Sequence, residues 1–120
     1  MADYRDFHFY HRARALAIRI HRSVQRLPYS EQIRRGDQLV RAANSIRNNI
    51  VEGSSGTKAE FARFLSHSIK SADEVQGQLQ DLADVGLLQS EDQDLLGEPA
   101  QIAAMMVSYR KKMLPPTEGD

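Results

Sequence analysis

Apolar residues recur every three or four positions in four stretches of this 120-residue chain, and nowhere do apolar and polar residues alternate over the length of a strand. That periodicity predicts four amphipathic helices. Helix A, about Phe7 to Leu27, puts Phe9, Ala13, Leu16, Ala17, Ile20, Val24 and Leu27 on one stripe; Pro28 ends it, because the residue before a proline is pushed out of the α region. Helix B, about Ser30 to Glu52, buries Leu39, Ala43, Ile46 and Ile50, with Gly36 weakening its first turns and Gly53 suited to a left-handed cap. Thr57-Lys58-Ala59-Glu60 is a capping-box pattern and opens helix C. This helix runs to about Val85 with Phe61, Phe64, Leu65, Ala72, Val75, Leu79 and Leu82 inside, and Gly86 closes it. Ser90 with Gln93 offers a weaker capping box, while Gly97 and Pro99 interrupt any helix passing through them. Helix D is therefore expected in two pieces, the longer from about Pro99 to Leu114, burying Ile102, Met105, Met106, Tyr109 and Met113. Short connections favour antiparallel neighbours, so the fold class is all-α, an antiparallel up-down four-helix bundle over residues 1–114, followed by a disordered tail over residues 115–120.

Composition narrows the chemistry. The hydrophobic fraction of 41% and this length suffice for one core without disulfides or metal. The absence of cysteine excludes a disulfide framework, thiolate metal sites and cysteine redox chemistry. Arg12, Arg14, Arg19 and Arg22 break every early apolar run and no segment is long enough to span a bilayer, so a cytoplasmic location is expected.

The net charge is zero but unevenly spread: residues 1–50 hold ten Arg against four Asp+Glu, and residues 51–120 hold six Lys+Arg against twelve Asp+Glu. Such a division suits an anion-binding half, or two halves or subunits that complement each other. On helix A, Arg12, Arg19 and Arg26 stand one heptad apart with Arg22 beside them, a stripe about 20 Å long at the helical rise. Phosphates could be tracked along it, and Arg34, Arg41 and Arg47 of helix B would extend the surface. The plainer reading is a solvated face, or one paired with acidic helix C. The preference for Arg over Lys, twelve to four, and the presence of Ala15 and Ile18 among the charges point away from simple solvation.

Helix B also carries Gln38, Arg41, Ala42, Ser45, Asn49 and Glu52 roughly opposite its core stripe, a polar face with small residues that would admit another helix; solvent is the alternative. Helix C answers with Glu60, Arg63, His67, Ser71, Glu74, Gln78 and Asp81. A basic A/B surface meeting that flank of the next subunit would be a heterologous contact, which makes a ring when its rotation closes. No reaction is specified by any constellation. His8 and His11 lack further ligands, no Glu-x-x-His di-iron repeat exists, and His67, Ser71 and Glu74 lie along one flank rather than converging. Neither a metal, a cofactor nor an enzymatic activity is expected.

Gln38-Leu39-Val40-Arg41-Ala42-Ala43-Asn44-Ser45-Ile46, then Asn49-Ile50-Val51-Glu52-Gly53, then Glu60-Phe61-Ala62-Arg63-Phe64-Leu65 and Ser71 with Glu74, together resemble the bacterial four-helix-bundle family of 23S rRNA intervening sequence proteins. Asp6-Phe7-His8-Phe9-Tyr10 is similar to the family's opening, whereas Arg34, Arg47 and Lys70 depart from its pattern and add positive charge. That family is similar in fold to the accessory protein of diversity-generating retroelements. The resemblance implies a homopentameric ring and, through the retroelement relative, binding of nucleic acid and a reverse transcriptase. The expected function is thus a non-enzymatic scaffold binding RNA or DNA through Arg12, Arg19, Arg22, Arg26, Arg34, Arg41 and Arg47. Its subunit interface is expected at Gln38, Arg41, Ala42, Ser45, Asn49, Glu52, His67, Ser71 and Glu74. The alternative is a protein-protein adaptor whose arginines pair with neighbouring subunits.

Overall fold

The computed structural model describes residues 2–114, so the expected tail lies outside the described residues. A one-turn 3₁₀ helix, Tyr4–Asp6, leads into α1 (His8–Gln25), and Pro28 starts α2 (Tyr29–Glu31) at once. The chain then passes through a π-helical stretch, Gln32–Gly36, into α3 (Asp37–Ser54). Helix B is therefore continuous but changes pitch. Gly36 closes the wide turn, and a Cβ there would lie 2.5 Å from Val24 Cγ1, so its role is to let this segment approach α1.

Gly53 corrects a sequence expectation. It is helical, inside α3, and the positive φ angles among the described residues belong to Gly86 and Gly97. A Cβ on Gly53 would stand 2.5 Å from Phe64 Cβ, so this glycine allows two helices to approach closely rather than reversing the chain. The reversal is made by the following turn, where the Gly56 N–H donates to the Gly53 carbonyl at 3.1 Å.

α4 (Lys58–Asp84) begins with the expected capping box: the Glu60 N–H donates to Thr57 Oγ1 at 3.1 Å and the Thr57 N–H to Glu60 Oε1 at 3.3 Å. It stops where Gly86, at φ +76°, turns left-handed and the Leu87 N–H reaches back to the Leu82 carbonyl at 2.8 Å. A 3₁₀ turn, Ser90–Leu95, follows. The capping box expected of Ser90 and Gln93 does not form, because Gln93 Nε2 donates instead to the Leu88 carbonyl at 3.2 Å. Gly97, at φ +90°, separates this turn from α5 (Glu98–Met113), and Pro99 occupies that helix's first turn, where its missing N–H costs nothing. Helix D is thus in two pieces, as its punctuation required.

α1 packs on α3 and α5, α3 on α4, and α4 on α5, closing a four-helix bundle around one core. Leu16, Ile20, Leu39, Ile46, Ile50, Leu65, Leu79, Ile102 and Met106 are its largest fully buried apolar side chains. Phe64, Met105, Tyr109 and Met113, expected inside, are only half-buried. Tyr109 nevertheless stands among Phe7, Phe9 and Phe61, with ring centroids 4.9, 5.7 and 5.8 Å away. The described residues contain no strand, and no helix among them is long and apolar enough to cross a membrane.

Candidate nucleic-acid and subunit interfaces

The heptad spacing does put Arg12, Arg19 and Arg26 on one flank of α1, and that flank faces the acidic connection between α4 and α5 together with the first turn of α5. Arg12 donates through Nε and Nη2 to both carboxylate oxygens of Glu98, at 3.0 and 2.5 Å, and through Nη2 to Gln101 Oε1 at 2.6 Å. Arg19 grips Asp94 with both terminal nitrogens, at 2.5 and 2.8 Å, and donates to the Glu91 carbonyl at 3.2 Å. Its Nη2 also lies 3.5 Å from Asp92 Oδ1. Arg26 binds the other Asp92 oxygen and stands 3.4 Å from Glu91. Paired forks of this kind are the geometry for which guanidinium suits carboxylate. The hydrogen bonds that Arg12, Arg19 and Arg26 donate to Glu98, Asp94 and Asp92 respectively raise the pKa of each arginine, and the one donated by Arg19 holds Asp94 below the usual carboxylate range. The acidic partners come from the start of the D segment, not from helix C, so the charge division between chain halves is met inside one molecule at these three arginines.

Arg22, Arg34, Arg41 and Arg47 form no ion pair among the described residues. They do not make one surface. Arg22 and Arg47 line a cleft of about 350 Å³ between α1 and α3 together with Ile18, His21 and Asn44. Arg34 lines a separate groove with Gln38, Gln78 and Asp81, and Arg41 is exposed on α3. Sequence reasoning missed His21 and Asn44. Their signal was spacing: His21 and Arg22 stand three and four residues after Ile18 on α1, and Asn44 and Arg47 three apart on α3, so each set shares a helical flank.

The polar face expected on helix B is partly sealed within the chain. Ser71 Oγ donates to Ser45 Oγ at 2.8 Å, and Asn49 Nδ2 donates to the Ser45 carbonyl at 2.8 Å and to its Oγ at 3.0 Å. Ser68, fully buried, donates to the Ile46 carbonyl at 2.7 Å and ties α4 to α3. Ser45, Asn49 and Ser71 are thus half-buried, whereas Gln38, Arg41, Glu52, His67 and Glu74 remain exposed. Ala42 is a correction. It is 5% exposed and belongs to the core, because α3 packs against both α1 and α4 and its buried arc widens to include position 42. Ser71, committed to Ser45, is not hydrogen-bonded to His67 or Glu74; Glu74 instead accepts from Gln78 at 3.0 Å. No group of three or more His, Asp or Glu side chains able to hold a metal occurs among the described residues.

No curated protein matches the chain. The family model described as 23S rRNA-intervening sequence protein matches residues 5–108, which takes in α1, α3 and α4 entirely and α5 as far as Ser108. On this match, and with the helical bundle that accompanies it, the chain belongs to the 23S rRNA-intervening sequence protein family.

Proposed function

We propose that this protein is a non-enzymatic, cytoplasmic scaffold: an up-down four-helix bundle that assembles into a homopentameric ring and binds the phosphate backbone of RNA or DNA. Subunits meet through the exposed part of the α3/α4 face, at Gln38, Arg41, Glu52, His67 and Glu74. The phosphates are held by arginines that the bundle leaves unpaired, first Arg22 and Arg47, then Arg34 and Arg41. The observation that carries the reading is the cleft between α1 and α3, where two unpaired guanidinium groups from different helices stand beside the amide of Asn44. Guanidinium forks and an amide donor recognise phosphate oxygens without reading bases. In this reading Arg12, Arg19 and Arg26 serve chiefly to fix the fold.

The test is binding of a labelled oligonucleotide followed by fluorescence anisotropy over a salt series. Every phosphate that the protein neutralises adds about 0.7 to the steepness of the log–log salt slope for a single strand and about 0.9 for duplex DNA. Arg22→Ala with Arg47→Ala should therefore flatten the slope by roughly 1.4 on single strands. Absence of any binding at low salt would refute the nucleic-acid reading. Light scattering tests the ring, and a monomer of 13.6 kDa at micromolar concentration would remove it.

The pairing of Arg12, Arg19 and Arg26 inside the chain favours, as a second reading, a protein-protein adaptor with few cations to spare. It predicts an assembled species with no nucleic-acid affinity.

A further inference from the structure

The clusters with chemistry left over are the groove at Arg34 and Asp81, the apolar cleft between Phe7 and α5, and the acidic turn across the arginine stripe. The last carries the furthest. Arg19, Arg22 and Arg26 stand at positions i, i+3 and i+7 of α1 and line one small cleft, of about 220 Å³, whose other wall is Glu91 and Asp92. Arg22 belongs to this cleft and also to the one between α1 and α3, so the two basic surfaces meet at a single residue.

We propose that the Arg19–Arg22–Arg26 face is a latent second phosphate-binding site, occupied in the free protein by the carboxylates of the turn Ser90–Leu95 and opened by competition with a polyanion. The inference rests on the nucleic-acid reading above and names the regulation of that same surface. Three features support it. First, carboxylate and phosphate use the same two-pronged arrangement of guanidinium donors, so Asp94 on Arg19 sits as a phosphate would. Second, the grip is uneven. The side chains of Glu91 and Asp94 are 66% and 65% exposed, and ion pairs so open to water hold weakly, whereas Asp92, at 4%, is the buried anchor. A strand of phosphates can therefore displace Glu91 and Asp94 while Asp92 stays. Third, the turn lies between two left-handed glycines, Gly86 and Gly97, and is held to the core chiefly by Leu88 and Leu95. A chain lying along Arg47 and Arg22 would meet Arg19 next, and Arg19 becomes available to it once Asp94 lets go.

The experiment uses the full chain and a labelled single-stranded RNA over a salt series. Glu91→Gln with Asp94→Asn, leaving Asp92 in place, should lower Kd by about three- to tenfold at low salt and steepen the log–log slope by about 0.7, the increment for one more phosphate. The gain should vanish in an Arg19→Gln background. An equal gain in that background would mean that removing negative charge acts at a distance, and it would overturn the proposal; so would no gain at all. Far-ultraviolet circular dichroism of each variant checks that the bundle is intact. The two readings fail differently. Unaltered binding by Arg22→Ala with Arg47→Ala sinks the open cleft, while binding that depends on those residues but ignores Asp94 sinks only the latent site.

Discussion

Gly53→Ala should destabilise the bundle although alanine is the better helix former, and Gly77→Ala should stabilise it. Both glycines are helical, at negative φ. In a helix interior the exchange is worth up to about 1 kcal/mol in favour of alanine. At Gly77 an added Cβ meets nothing within 4 Å, so the gain of about 0.5–1 kcal/mol should appear unopposed. At Gly53 the Cβ would lie 2.5 Å from Phe64 Cβ and 3.1 Å from Phe61 Cδ1. Phe64 Cβ is fixed to its backbone and cannot rotate away, so relief requires α3 and α4 to move apart. That motion strains the Ser68 to Ile46 and Ser71 to Ser45 hydrogen bonds. Overpacking of this kind costs about 1–3 kcal/mol, more than a last-turn helix gain returns, leaving a net loss of roughly 1–2 kcal/mol. Urea midpoints read by circular dichroism, with protein concentration held constant so that assembly does not contribute, give both numbers. If Gly53→Ala raises the midpoint as Gly77→Ala does, the close approach of the helices is not what holds glycine at position 53.

Thr57→Ala removes one half of the capping box and should lower stability by about 1 kcal/mol, read from the same urea titration. The Asp94 carboxyl is held below its ordinary pKa by Arg19, so its contribution is present above the unfolded-state value near 3.9 and fades as pH falls through the lower folded value. Thermal midpoints of the wild type and Asp94→Asn should accordingly differ at neutral pH and converge in strong acid; a constant gap would contradict the pairing. Arg26→Ala should lower the thermal midpoint, because it takes a partner from the buried Asp92, while Arg22→Ala should leave the midpoint unchanged.

The helices were legible because each has its own punctuation. Pro28, the Thr57 to Glu60 box, Gly86, and the Gly97 to Pro99 break act through bonds no more than a turn away, which a sequence window contains. Gly36 and Gly53 are misread for the opposite reason. Their neighbours are Val24 and Phe64, so the demand on each glycine comes from another helix, and local propensity reads it only as weakness or as a cap. Ala42 falls on the outer face of a helical wheel that assumes one core stripe, whereas a helix with two packed neighbours buries a wider arc.

The same distinction separates the arginines. Heptad spacing places Arg12, Arg19 and Arg26 on one flank, but whether a flank of cations is open to a ligand depends on what the rest of the chain brings to it. Here the partners lie 65 to 86 residues away, in a short acidic turn with no helical period of its own to advertise its position and at the first residue of α5. Charge pattern along a helix therefore measures capacity for anions, and the three-dimensional pairing measures how much of that capacity is free. Arg22 and Arg47 qualify because neither is ion-paired among the described residues and they converge from different helices. A binding defect produced at Arg26 would mix a weakened hold on the ligand with a buried Asp92 left to Arg19 alone, whereas one produced at Arg22 or Arg47 would report on binding.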